Sequence, residues 1–363
     1  PNHSGRRTQA IQTFSCIEYR RGHGGRRFAG HSARPAAVGR NLRGDGKGGA
    51  GPDCREVIGE CDYTRAMKIA ITGSSGRIGR AIHFNLCQDH EVVGIDRSVS
   101  SVTTHLGDIG DYRLLCEAFT GANAVIHVAA LHAPHVGVCE DSEFFRINVE
   151  GTKAVFRAAL DCGVRSLVFT STTALYGFAS RHPDRAVWID EKTVPEPRTV
   201  YHRTKLEAEQ FLEAEASQDL KVTTLRMSRC FPEPAPLMAM YRLHRGVDAR
   251  DVADAHCLAL KEQIGSYRMF VLSGTTPLRQ SDCEALKQDP VQVLRQRCPA
   301  ICELFESRQW EIPESIDRVY DSTEAQRVLG WKPRYGFESV VELLDAQIPE
   351  VLPVVEPVSV FDE

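Results

Sequence analysis

The segment Thr72-Gly73-Ser74-Ser75-Gly76-Arg77-Ile78-Gly79 constrains this chain more than any other. It follows a short apolar run, Met67-Lys68-Ile69-Ala70-Ile71, that reads as a buried β-strand. It leads into Arg77–Asp89, where Ile78, Ala81, Ile82 and Leu86 fall on one helical face. Strand, glycine turn and helix together form a phosphate-binding context, whereas a glycine triplet alone is weak evidence. Gly73 allows the tight turn, Gly76 lets backbone approach a pyrophosphate, and Gly79 lets the helix pack on the strand. The exposed N–H groups and positive dipole end of the helix suit phosphate oxygens. The spacing is G-x-x-G-x-x-G. A carboxylate, Asp96, closes a second strand-like run, Glu91–Ile95, near the ~20-residue offset at which an acid accepts bonds from an adenosine ribose. Gly73, Ser75, Gly76, Arg77, Ile78 and Asp96 are therefore candidate dinucleotide contacts.

Beyond this unit the pattern alternates. Strand-like runs recur at Ala124–Ala129, Ser166–Thr170 and Val222–Met227, with helical patterns at Tyr112–Phe119, Ser142–Asp161 and Arg203–Ala216 between them. Such alternation predicts an α/β fold with a doubly wound parallel sheet covered on both faces, its ligands at the carboxyl ends of the strands. Asp108 and Ile109 follow a third short strand, where the acid can accept from an adenine amino group. Ala129 and Ala130 follow the fourth, small enough for backbone to approach a cofactor, and His132 and His135 lie just beyond. The fifth strand ends in Thr170-Ser171-Thr172-Thr173. Tyr201-His202-Arg203-Thr204-Lys205 opens a later helix, with Tyr201 and Lys205 on one face. A free phenol is a poor base at neutral pH. A neighbouring ammonium favours the phenolate, so Tyr201 can exchange a proton with a substrate oxygen that Thr172 polarises.

These segments resemble the extended short-chain dehydrogenase/reductases, the NAD-dependent epimerase/dehydratase group that includes UDP-glucose 4-epimerase. Asn148-Val149-Glu150-Gly151-Thr152, Asp251–His256 and Asp321–Pro333 also fit, so the resemblance runs from Met67 to about Leu344. It implies a Rossmann-type sheet, with Tyr201 as acid/base, Lys205 on the nicotinamide ribose and Thr172 in the Ser/Thr role. Asn148 is read as mainly structural, and the expected assembly is a homodimer. Sugar-nucleotide 4,6-dehydratases carry an Asp-Glu pair after the Thr. Here Thr173 and Ala174 stand there, which excludes a dehydratase of that type. The segment from Phe231 to Gly246 is short for a sugar-nucleotide epimerase and favours a smaller substrate. Arg226, Arg229, Arg242, His244 and Arg245 lie in or beside it, and their convergence would suit an anionic one. Asp96 favours NAD over NADP. The rival reading is a dinucleotide-sensing protein without catalysis, against which the Tyr–Lys pair weighs.

Residues 67–228 are thus expected to form the NAD-binding domain. Residues 229–348 are read as a small α-rich substrate region that returns a strand to the sheet, and 349–363 as a tail. In that region Ser322 and Gly330 are expected to cap and stop a helix. Residues 1–66 differ: they are rich in Gly and Arg, hold few large apolar residues and read as disordered. The first methionine is Met67, so the natural protein is expected to start there, with the preceding residues as translated upstream sequence. That segment carries twelve Lys and Arg against six Asp and Glu. Of the formal net charge of −4 the remaining chain therefore supplies −10, which argues against general nucleic-acid binding. An RNA adaptor using the basic segment is the third reading. No apolar run approaches the ~18 residues of a membrane span. Twelve scattered cysteines without a C-x-x-C pair or a signal peptide predict a cytoplasmic protein with reduced thiols and no metal site. Cys87, Cys116, Cys162 and Cys257 are read as small core residues.

Overall fold

The computed structural model describes residues 66–261 and 265–352. The segment expected to be disordered, up to residue 65, and most of the expected tail, 353–363, lie outside the described residues. The first half of the described chain runs β1 (Lys68–Thr72), α1 (Arg77–Leu86), β2 (Glu91–Asp96), β3 (His105–Leu106), α2 (Tyr112–Phe119) and β4 (Ala124–His127). It continues through α3 (Asp141–Phe144), a π-helical turn (Phe145–Glu150) and α4 (Gly151–Asp161), which form one continuous rod. Next come β5 (Ser166–Thr172), β6 (Val187–Ile189), α5 (Val200–Glu215) and β7 (Lys221–Met227). The rest is α6 (Ala235–His244), α7 (Ala249–Lys261), β8 (Tyr267–Leu272), α8 (Cys283–Gln288), α9 (Pro290–Arg297), α10 (Pro299–Ser307), β9 (Arg318–Tyr320), α11 (Thr323–Leu329) and α12 (Phe337–Asp345).

Seven strands form one parallel sheet in the order β3-β2-β1-β4-β5-β7-β8. The order reverses between β1 and β4, which is where a doubly wound sheet opens its ligand crevice. Both faces are covered, so successive residues of one strand are buried on opposite sides. Ala70, Val93, Ile95, Val125, Leu167 and Phe169 pack with α2, α4 and α5. Ile69, Ile71, Ile126, Val168 and Leu225 pack with α1, α7 and Trp331. A third cluster joins α6, α8, α9, α10 and α12, with Val351 docked against it. No helix among the described residues is long and apolar enough to cross a membrane.

Several expectations need correction. The fourth strand stops at His127 rather than Ala129; the apolar run continues because its last residues line a cavity, not a sheet. The α-rich region returns β8 to the main sheet, and its further strand β9 pairs in parallel with β6 as a separate two-stranded sheet. Ser322 does not cap α11 with its side chain: its hydroxyl donates to the Ser273 carbonyl (3.0 Å), and Asp321 accepts from the Thr323 N–H (2.9 Å) instead. Gly330 does stop that helix, in the left-handed region. Cys87 is exposed, while among the described residues the buried thiols are Cys230 and Cys283.

Candidate active site

A cavity of about 600 Å³ opens over the carboxyl ends of β1, β2, β4, β5 and β7. Gly73, Ser75, Gly76, Arg77, Ile78, Asp96, Asp108, Ile109, Ala129, Ala130, Thr172, Tyr201 and Lys205 all line it. Every residue singled out from the sequence for cofactor or chemistry is therefore brought to one place.

The glycine turn is built by backbone bonds. Gly73 N–H donates to the Ile95 carbonyl (2.8 Å) and Gly76 N–H to that of Gly73 (3.2 Å). Gly73 has φ +72°, and a Cβ there would lie 2.6 Å from the Ala129 nitrogen. Gly79 packs closer still, because a Cβ would lie 2.1 Å from the Gly73 carbonyl oxygen. Arg77 and Ile78 open α1, whose N-cap is Gly76 with no side-chain cap, so the first-turn N–H groups stay available to an anion. Asp96 accepts from the Ser75 N–H (2.9 Å) and the Ser98 N–H (2.9 Å), which ties the acid to the turn. Asp108 is paired with Arg146 (3.2 Å), and that guanidinium holds its carboxyl below the usual range against the opposing effect of burial. Free helix N–H groups, a turn with no room for a Cβ and a carboxylate at the end of β2 together fit a dinucleotide. Gly79→Ala must push α1 off the turn. Overpacking of this kind costs about 1–3 kcal/mol. The expected result is a lower unfolding midpoint together with a loss of calorimetric NAD binding.

The loop after β4 is fixed from below. Asn148, in the π-helical turn, accepts from the Leu131 N–H (2.8 Å) and donates to the Leu131 carbonyl (2.9 Å) and the Thr204 hydroxyl (3.1 Å). His127 donates from Nε2 to Thr152, whose own proton goes to the Asn148 carbonyl, and accepts at Nδ1 from Thr72 (2.6 Å). Burial drives its pKa down to about 3, so it stays neutral.

Tyr201 is 8% exposed and Lys205 2%. Thr199 caps α5 by accepting from the His202 N–H, which sets Tyr201 in the first turn. The Thr172 hydroxyl faces the phenol closely enough to lower its pKa, yet burial outweighs this and pushes Tyr201 up to about 12. Burial also brings Lys205 down to about 7, opposed by Glu209. Lys205 is not among the groups that lower the phenol's pKa, and burial raises it where a fall was expected. Lys205 Nζ donates to the Thr170 carbonyl (2.8 Å) and lies 3.8 Å from the centre of the Phe169 ring, so both groups are desolvated and neither is bonded to the other.

The arginines do not all converge. Arg226 pairs with Glu209 (2.7 Å) and Arg242 with Asp248 (2.9 Å), both inside the protein, and His244 is buried with Nδ1 donating to the Arg318 carbonyl (2.8 Å). Arg229 and Arg245 do line the cavity, with His132, His135 and Phe231. His132 stacks on Phe231 with ring centres 5.8 Å apart. Arg318 and Tyr320 of β9 also line it and were not foreseen. Their only signal was the alternation Arg318-Val319-Tyr320 just before Asp321, in a stretch that otherwise reads as helical. Arg245 and Arg318 share one carboxylate, Asp317, at 3.4 Å and 2.5 Å.

A doubly wound parallel sheet, a glycine turn at its switch point and a Tyr–Lys pair on the helix after the hydroxyl-rich strand are the features in which the chain resembles the short-chain dehydrogenase/reductases. Residues 69–235 match the NAD dependent epimerase/dehydratase family. It is 27% identical over 326 residues to the UDP-glucose 4-epimerase of Halalkalibacterium halodurans, covering 76% of this chain and 94% of that protein. It is also 27% identical over 286 residues to the L-arabinose 1-dehydrogenase (NAD(P)(+)) of Haloferax volcanii, covering 76% and 99%. A solved short-chain dehydrogenase/reductase superfamily protein from Agrobacterium tumefaciens with bound NAD shares the fold. Its TM-score is 0.57 at 20% identity, with 76% of this chain and 95% of that one covered.

Proposed function

We propose that the protein transfers hydride at a hydroxyl- or carbonyl-bearing carbon of a sugar, sugar acid or sugar nucleotide, with Tyr201 moving the proton. The observation that carries this reading is the meeting of the glycine turn, Asp96, Thr172, Tyr201 and Lys205 in one cavity. Bound NAD supplies the hydride acceptor or donor. In this reading the first-turn N–H groups of α1 bind pyrophosphate and Asp96 accepts from the adenosine ribose. Asp108 and Ile109 flank the adenine, and Ala129 and Ala130 allow the backbone to come close. Thr172 would polarise the substrate oxygen, Lys205 would bind the nicotinamide ribose, and Tyr201, ionised under the positive charge of Lys205 and of an oxidised nicotinamide, would take the substrate proton as hydride leaves the carbon. The same groups run in reverse for reduction, and an epimerase returns the hydride to the opposite face.

A small anionic substrate fits the other end of the cavity. Arg245 and Arg318 bring two positive charges to one Asp317 carboxylate, which leaves net positive charge beside Tyr320 and Phe231. The test is a screen of sugar acids, aldoses and sugar nucleotides by NADH absorbance, with product stereochemistry determined in parallel so that a pure epimerase is not missed. Measurable NAD binding without turnover of any of these would make the protein a dinucleotide sensor instead. Among active substrates, NAD is expected to exceed NADP in kcat/KM by at least about tenfold, because a 2′-phosphate would meet the Asp96 carboxylate. Equal or inverted preference removes Asp96 from the ribose site.

A further inference from the structure

Glu209 has no part in the chemistry described so far, yet it is a charged group at 2% exposure in the helix that carries Tyr201 and Lys205. The three residues follow one another at four-residue steps on α5, so each lies one turn from the next on the same face. Arg226 donates to the Glu209 carboxylate from Nε (3.0 and 3.2 Å) and Nη2 (2.7 Å), and the Ser171 hydroxyl donates to it as well. Arg226, itself 6% exposed, reaches on from Nη1 to the Tyr176 hydroxyl (3.1 Å). The carboxylate is thus held by β5 and β7, directly behind the strand end that presents Thr172. A buried ion pair is a poor source of net stability compared with apolar packing, so its presence here asks for another use.

We propose that Glu209 is a positioning residue: fixed by Arg226 and Ser171 one turn beyond Lys205, its carboxylate keeps the lysine side chain a charged ammonium in service of Tyr201. This rests on the reading of Tyr201 and Lys205 as the acid/base pair.

The other groups around Lys205 cannot do this. His127, facing it from β4, and His256, which accepts at Nε2 from the Thr170 hydroxyl (2.7 Å), are both buried with pKa values driven down to about 3 and about 4, so both are neutral. The Tyr176 phenol is pushed up to about 12, and Tyr267 on β8 is raised further by burial and by Glu209, so both stay protonated. Near neutral pH the fixed charges around Lys205 are therefore Glu209 and Arg226. Arg226 is bound to the carboxylate and to the Tyr176 hydroxyl, and Glu209 is the charge that opposes the effect of burial on Lys205. The sign follows: burial lowers the lysine pKa and the carboxylate raises it, so loss of the carboxylate frees the lysine proton at lower pH.

The test is lysine 13Cε NMR of the full chain as a function of pH, with the Lys205 signal assigned through Lys205→Arg. Glu209→Gln alone leaves Arg226 buried without a partner and can fail to fold, so the deciding variant is E209Q with R226Q, which removes both charges and keeps hydrogen-bonding groups. The expected result is a Lys205 midpoint lower by about one unit, a tenfold change in its proton affinity, with the pH profile of kcat displaced in the same direction and KM nearly unchanged. E209D, which keeps the charge, is expected to titrate close to the wild type. An unchanged lysine midpoint in the folded double variant overturns the proposal. So does a wild-type lysine already uncharged at neutral pH, whichever variants fold. Lack of turnover in the wild type counts against the enzymatic reading, whereas the lysine titration answers for Glu209 separately.

Discussion

Replacing Tyr201 by Phe is expected to lower kcat by about 10²- to 10⁴-fold, the range that a positioned acid/base contributes, while NAD affinity changes little. The ring is buried against the core that includes Phe169, Val200 and Leu131, and Phe preserves that packing. What disappears is one hydroxyl facing Thr172. The loss corresponds to about 3–5 kcal/mol of transition-state stabilisation. It appears in kcat because the proton changes hands only as the C–O bond order changes. The turn from Gly73 to Gly79 and Asp96 at the end of β2 are untouched, so calorimetric NAD binding serves as the control. The unfolding midpoint should also stay near that of the wild type. A variant that turns over within about threefold of the wild type would show that another group carries the proton; one that loses NAD binding would place the hydroxyl on the cofactor instead.

How much of this could be read from the sequence depends on how local each cause is. The sheet was legible because strands buried on both faces leave continuous apolar runs, such as Ile69-Ala70-Ile71 and Leu167-Val168-Phe169. The glycine turn was legible because the steric demand at Gly73 and Gly79 is met within a few residues of chain. The Tyr201–Lys205 spacing fixed their common helical face, but not their charge state. That depends on burial by β4, β5 and β7, which no spacing encodes, and burial reverses the expected direction for the phenol. Partners distant in sequence were hidden for the same reason. Arg226 reads as available until Glu209 is placed against it, and Arg318 reaches the cavity only because β9 pairs with β6 across more than a hundred residues of chain. The overrun of the fourth strand teaches something different. Val128-Ala129-Ala130 is apolar because it lines a ligand cavity, and a hydropathy pattern does not distinguish that from a strand interior.

Trp331→Ala is expected to destabilise the fold more than Gly79→Ala or Tyr201→Phe, by about 3–5 kcal/mol. Trp331 is fully buried and follows the left-handed Gly330 that ends α11. It packs in the cluster formed by Ile69, Ile71, Ile82, Val252 and Leu272. Its indole N–H donates to the Asp251 carbonyl (2.9 Å), while the Asp251 carboxylate accepts from the Arg334 (2.8 Å) and Tyr335 (3.1 Å) N–H groups. One side chain therefore pins the segment after α11 to α7, and through α7 to the sheet face opposite α5. Alanine removes the indole volume, leaves the Asp251 carbonyl without this donor and loosens the anchorage of that segment. At about 2–4 °C per kcal/mol for a chain of this size, the unfolding midpoint should fall by roughly 10 °C. The cavity residues stand on other elements, so kcat measured well below that midpoint should remain near the wild-type value. A midpoint shift of only about 2 °C would mean that the surrounding side chains close over the void. A normal midpoint with lost turnover would tie this anchor to the geometry of the site itself.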